Sequence, residues 1–279
     1  MFNNIVVDSA CDINTEAIGN DICTVSRVPL NLELGNKVYL DDENLDLDDF
    51  LHQMESSDEA VKTSAPAPGL FLEKFKLGEN VFVVTLSSKL SATYQSAMAA
   101  KDMYIEEYGK KVIHVFDSLS ASVGEGVIAM KIAELLKKGT AITDLVEQVN
   151  QFIKSTRTYF ILDKFDNLVK TGRINPYVAK IASFLNVKPI CSDNDGEIKM
   201  IDKARGYTKA VNRLVQIIKE NTPDIESRII AITHVKAYEK AVALKDELLK
   251  HIRAKDIVIG ESAGVITTYA NRGGIVVAV

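Results

Sequence analysis

Cysteine is scarce: Cys11, Cys23 and Cys191 are the only three and none is close to another. An odd, scattered set argues against a disulfide framework or a zinc site and fits a reducing compartment. Glycine (15) and proline (6) are few, so fibrous and low-complexity classes fall away. There is no basic run, and 38 acidic against 33 basic side chains leave a net charge of −5. A mildly acidic chain of this kind does not look like a nucleic-acid binder. The apolar runs, such as Val81–Val84, are strand-sized, far short of the roughly 18 residues of a membrane span. The opening MFNNIVVDSACD lacks the basic and apolar regions of a signal peptide, so a soluble, cytoplasmic protein is expected. Neither a G-x-S-x-G elbow nor a G-x-x-x-x-G-K-[ST] loop occurs, which disfavours an α/β-hydrolase or a P-loop kinase. The stretch Gly124-Glu125-Gly126-Val127-Ile128-Ala129 fits G-x-G-x-x-A in form only. Its glycines lie well past the preceding strand, and Glu125 would oppose a pyrophosphate.

What is present is ordinary globular material. A chain of 279 residues with 47% hydrophobic and 25% charged residues suggests about two domains. Strand-like runs at Asn4–Asp8, Val81–Leu86, Val112–Phe116, Tyr159–Leu162, Val187–Cys191, Arg228–Thr233, Asp256–Gly260 and Ile275–Val279 alternate with helical patterns. The helical patterns include Ala92–Tyr108, Gly124–Lys138, Thr143–Ser155, Pro176–Leu185, Thr208–Asn221 and Tyr238–Arg253. This alternation predicts an α/β class with parallel strand pairs. Two stretches break the rhythm. Residues 23–50 read as an insertion or flap on the first domain, ending in an acidic run, Asp41–Asp49, expected to be a solvated face. The polar segment Lys164–Asn175 marks a boundary, giving domains 1–162 and 163–279.

Several apolar strands end on hydroxyl-bearing residues: Asp8-Ser9, Leu86-Ser87-Ser88 and Asp117-Ser118. Ligands of open α/β sheets bind at the carboxyl ends of strands, so Ser9, Ser88, Ser91 and Ser118 are candidates to surround one crevice. The turn Ser87–Thr93 opens a helix, whose free amides favour an anion; each serine can equally be a helix cap. The stiff loop Lys62-Thr63-Ser64-Ala65-Pro66-Ala67-Pro68 would present two more hydroxyls. His234 follows a strand and can enter a cleft or be structural. Arg173, in a charged turn, can meet a phosphate, a partner carboxylate or only solvent.

The ordered set Asp8-Ser9-x-x-Asp12, Thr63-Ser64-Ala65-Pro66, Leu86-Ser87-Ser88-Lys89-Leu90-Ser91-Ala92-Thr93-Tyr94, Asp117-Ser118, Gly172-Arg173-Ile174, Val187-Lys188-Pro189-Ile190 and Asp195-Gly196 resembles the DegV family across essentially the whole chain. The resemblance implies a two-domain DegV-like fold, an N-terminal Rossmann-like parallel-sheet domain plus a C-terminal α/β domain. It also implies a non-enzymatic carrier: a long-chain fatty acid as ligand, no other cofactor, and an ATP-dependent fatty acid kinase protein as partner. By position, Thr63 and Ser91 would hold the carboxylate, Ser64, Ser88 and Ser118 would support it, and Arg173 would contact the partner. Tyr269 stands where the family has histidine; a phenol donates one hydrogen bond but carries no imidazolium charge. Thr171 stands where the family usually has a second glycine. The alternative from the residues alone is a small-molecule hydrolase or transferase using the Ser/Asp strand ends, with His234 as base.

Overall fold

The computed structural model describes residues 2–279. Strand β1 (Asn3–Asp8) runs through the single-turn helix α1 (Thr15–Ile18) to β2 (Cys23–Val28). A hairpin of β3 (Asn31–Leu34) and β4 (Lys37–Leu40) comes next, then α2 (Leu47–Glu55), β5 (Lys62–Ser64) and α3 (Pro68–Phe75). The chain continues through β6 (Asn80–Thr85), α4 (Thr93–Tyr108), β7 (Val112–Asp117), α5 (Val123–Lys137) and α6 (Ile142–Ser155). The remainder comprises β8 (Thr158–Ile161), α7 (Asp166–Lys170), α8 (Pro176–Ala182), the hairpin β9 (Val187–Asn194) and β10 (Glu197–Arg205), and α9 (Tyr207–Asn221). The chain closes with β11 (Ile229–His234), α10 (Tyr238–His251), β12 (Asp256–Glu261), α11 (Gly264–Ala270) and β13 (Ile275–Ala278).

Strands β2-β1-β6-β7 form an all-parallel sheet. Every residue of β1 and β6 is buried, which is why Asn-Val-Phe-Val-Val-Thr reads as a continuous apolar run rather than an alternating one. The second sheet, β10-β9-β8-β13-β11-β12, is mixed: only β11 and β12 run parallel, and the other neighbours are antiparallel. The expected parallel pairing therefore holds for the first sheet and for one pair of the second. Helix α5 lies between the sheets, touching β1 and β6 on one side and β11 and β13 on the other. It is apolar almost all round, as a helix buried on both sides must be. The largest core consequently runs through both halves, from Ile5 and Phe82 to Phe160 and Val276. Separate cores fill the outer face of each sheet, under α3 and α4 in one case and under α9 and α10 in the other.

Three expectations about the chain's organisation change. Residues 23–28 are not part of a flap: β2 pairs with β1 in full register and is an edge of the parallel sheet. Beyond it, the chain builds a small antiparallel sheet, β4-β3-β5, which carries Thr63 on β5. Sheet membership changes at Thr158, since β8 sits in the second sheet, ahead of the expected 162/163 boundary. The run Asp41–Asp49 is not one solvated face either. Asp41 is buried and accepts from the Gly264 and Val265 amides, at 2.7 and 3.0 Å, closing the N-terminus of α11. Asp46 caps α2.

Candidate functional site

The parallel sheet presents its carboxyl ends to the inner face of the second sheet, and an apolar cavity lies there. It has about 800 Å³ of empty space, its solvent-open part included. Leu86, Phe160, Leu162, Leu168, Ile266 and Val276 supply much of its wall.

Four side chains singled out in the sequence reach this cavity from four separate segments: Thr63, Ser91, Arg173 and Tyr269. All four are half-buried. The Thr63 Oγ1 and Tyr269 OH are hydrogen-bonded at 2.7 Å across 206 residues of sequence. β5 places the threonine by pairing Thr63 with Leu32 of β3; α11 places the phenol, with its first amides tied to Asp41. Ser91 Oγ pairs with Thr93 Oγ1 at 2.8 Å and accepts from the Thr93 amide at 3.3 Å. It thus braces the turn ahead of α4, whose N-cap is Ala92, and lines the cavity at once. Arg173, expected to face a partner, is also a cavity residue. Its Nη1 donates to the Thr171 carbonyl at 2.8 Å, and its guanidinium lies 5.8 Å from the centre of the Tyr269 ring, within cation–π range. Gly172 has φ +75°, whereas Thr171 sits at φ −98°, a value any residue adopts. The departure from a double glycine is therefore conformationally neutral.

The other serines do not converge here. Ser64 Oγ accepts from Asn31 Nδ2 at 3.2 Å. Ser88 is fixed by its amide, which donates to Asp117 Oδ1. Ser118 Oγ closes a local turn with Ser120. Ser9 is fully buried and accepts from the Leu30 amide. None of these four lines the cavity. His234 is also elsewhere: buried, its Nδ1 accepts from the Ala237 amide at 3.3 Å, and desolvation lowers its pKa. Among the described residues no hydroxyl–imidazole pair faces the cavity, so a His234-based hydrolase has no site there.

Residues not singled out as site residues also line the wall. Ser120, Ser122 and Thr158 are buried, and Asp193 stands beside them. Ser120 Oγ and Thr158 Oγ1 are 2.6 Å apart, and the Thr158 amide donates to Asp193 Oδ1 at 3.1 Å. Ser122, at φ 59° and ψ −134°, occupies a region nearly reserved for glycine. Its hydroxyl donates to Asp12. The only local hint in the sequence was the run Ser118-Leu119-Ser120-Ala121-Ser122; Thr158 and Asp193 gain meaning only once β8 and β9 are paired. Gly124 and Gly126 are packing glycines, not a nucleotide loop. A Cβ on Gly124 would strike the Ser120 and Thr158 hydroxyls, and one on Gly126 would strike Ile13. Glu125 is fully buried, and desolvation together with Asp8 pushes its pKa well up, which favours its neutral form. No cluster of metal ligands occurs among the described residues, and none of their helices is long and apolar enough to cross a membrane.

An apolar cavity between the two larger sheets, edged by hydroxyls and one guanidinium, combines the two kinds of surface that an amphipathic molecule presents. The DegV family profile, that of an otherwise uncharacterised protein group, matches residues 3–279. The chain belongs to the DegV family. It is 31% identical over 272 residues to a DegV domain-containing protein of Streptococcus pyogenes, covering 97% of this chain and 96% of that one. Its fold superposes on a DegV family protein of Ruminococcus gnavus solved with vaccenic acid, at TM-score 0.93, 35% identity and 99% coverage of both chains. It is also similar to the fatty acid kinase (Fak) B3 protein of Streptococcus pneumoniae loaded with linoleic acid: TM-score 0.92, 29% identity, covering 100% and 99% of the two chains.

Proposed function

We propose that this protein is a fatty-acid carrier: it encloses a long acyl chain in the cavity and holds the carboxylate at Thr63, Ser91, Tyr269 and Arg173. The observation that carries the reading is the convergence of those four side chains, from four segments, on one mostly apolar cavity. An amphipathic ligand needs both parts. Burying a chain contributes about 0.8 kcal/mol per CH₂, on the order of 10 kcal/mol for 16 carbons before ordering costs. Hydroxyl donors then select the acid end without the desolvation cost of several fixed charges. The bound acids of the Ruminococcus and Streptococcus pneumoniae relatives support the same reading.

The finer proposal is that the carrier presents the carboxylate to a separate ATP-dependent kinase, which forms the acyl-phosphate. The Fak B3 relative supports it, and so does the half-buried position of all four head-group residues, which leaves the acid end within reach of a second protein.

Delipidated protein titrated with octadecanoic acid and with octadecanol tests the carrier reading. The acid raises the melting temperature in proportion to ln(1 + [L]/Kd); the alcohol raises it less. Equal stabilisation by both would remove the carboxylate from the site, and none by either would remove the fatty acid.

A further inference from the structure

The cavity has a second polar group away from Thr63 and Tyr269. Strand β8 runs along the cavity wall with Thr158, Phe160 and Leu162 facing it. Its Ile161 end pairs with Ile275, where β13 begins soon after α11 and Tyr269, whereas Thr158 pairs with Ala278 at the far end of β13. The two ends of the wall are thus separated by about 10 Å, at ~3.3 Å per residue. At the Tyr269 end sit the phenol and its partner Thr63. At the other sit Ser120, Thr158 and Asp193, joined by the 2.6 Å hydroxyl pair and the 3.1 Å amide–carboxylate bond.

That group is poorly matched to a plain hydrocarbon tail. An ionised carboxylate only accepts hydrogen bonds and has about four sites for them. The Thr158 amide fills one. The Ser120–Thr158 pair spends one hydroxyl proton on itself and leaves one to aim at Asp193. The cation acting on Asp193 is Arg157, exposed and already donating to the Lys154 and Thr156 carbonyls. Desolvation outweighs it and raises the Asp193 pKa to about 6. A methylene chain laid over this carboxylate would strip further water and return no donor. A hydroxyl group on the chain would return one.

We propose that the cavity selects an acyl chain carrying a hydroxyl group remote from its carboxyl end, which Asp193 accepts with Ser120 and Thr158 as its frame. The proposal rests on the fatty-acid reading and names the class of acid. Sites built to bond a hydroxyl discriminate strongly against ligands lacking it.

Affinities of delipidated protein for octadecanoic, 12-hydroxyoctadecanoic and 2-hydroxyoctadecanoic acids test it. The 12-hydroxy acid is expected to bind about tenfold more tightly than the other two, the equivalent of one hydrogen bond of ~1.4 kcal/mol. Asp193→Leu and Ser120→Ala should each erase that preference while still binding octadecanoic acid. If Asp193→Leu does not fold, Ser120→Ala carries the comparison alone. Octadecanoic acid binding as tightly as the 12-hydroxy acid would overturn the proposal and leave the fatty-acid reading standing. A preference that survives in the folded variants would also overturn it. Failure of all three acids to bind would overturn both.

Discussion

Tyr269 and Thr63 form a side-chain hydrogen bond that ties the small antiparallel sheet to α11 at the cavity. Each has a proton to donate, and the pair spends one, so the other is free for a carboxylate oxygen. Thr63→Val, Ser91→Ala and Tyr269→Phe should each weaken acid binding by about 1.5–3 kcal/mol, the range for hydrogen bonds to a charged group. The double change Thr63→Val/Tyr269→Phe should be less than additive, because the two hydroxyls share one network; calorimetric titration reads both. Octadecanol binding should barely respond. Arg173→Ala should lower acid binding as well as transfer to a kinase, with Arg173→Lys restoring part of the binding; intact binding would return the arginine to a role at the outer surface only. Thr63 and Ser91 were legible as loop hydroxyls because loop chemistry is local, in a Thr-Ser-x-Pro loop and a Leu-Ser-x-Thr turn; Tyr269 was singled out only through the resemblance to the DegV family. Ser64, Ser88 and Ser118 carry the same local signature but do not line the cavity: Ser64 accepts from Asn31, the Ser88 amide donates to Asp117, and Ser118 closes a local turn. Which way a hydroxyl turns is set by the tertiary partner.

At the scale of elements, the cavity is held in shape by carboxylates that bridge distant segments. Asp41, from the loop after β4, closes the N-terminus of α11. Asp41→Ala leaves two buried amides without acceptors and should cost about 2 kcal/mol or more by denaturant unfolding. Because α11 carries Tyr269, acid affinity should fall with it. Asp12 joins two loops, accepting from Ser122 Oγ before α5 and from the Ala263 amide before α11. Desolvation first, and the nearby Asp41 charge, raise its pKa to about 7 against the two bonds and Arg27. The fold therefore favours its neutral form. The stability that form allows near pH 4 is lost as pH climbs to about 7, by up to a few kcal/mol. Asp12→Asn cannot ionise, so its stability relative to wild type should rise over that window; a parallel pair of curves would contradict the assignment. Strands β1 and β6 were plain in the sequence because burial on both faces makes them largely apolar, whereas the half-exposed edge strand β2 was not. β10, with Lys199, Asp202, Lys203 and Arg205, is an exposed edge strand and gives no such signal. Asp41 was hidden for the opposite reason: a buried cap looks like any other acid until its helix is in place.

On the scale of the whole molecule, α5 is the reason there is a single site rather than two half-sites. It packs both sheets onto itself, and the space left beyond its N-terminus, between the strand ends of the first sheet and the face of the second, is the cavity. The α/β alternation foretold the class and the parallel pairing of the first sheet. It did not foretell the mixed order of the second, because antiparallel pairing of β8, β9 and β13 depends on register between segments as much as 100 residues apart and more. Nor does any local pattern show an enclosed apolar volume, which long-range packing makes. The central claim is that this volume holds a fatty acid. The most direct measurement is organic extraction of the folded, purified protein, with quantitative mass spectrometry of the extract. The account predicts about one fatty acid per chain, retained through purification because a tightly held ligand stabilises the fold by mass action. Protein recovered without lipid, whose melting temperature is unmoved by added octadecanoic or 12-hydroxyoctadecanoic acid, would contradict it.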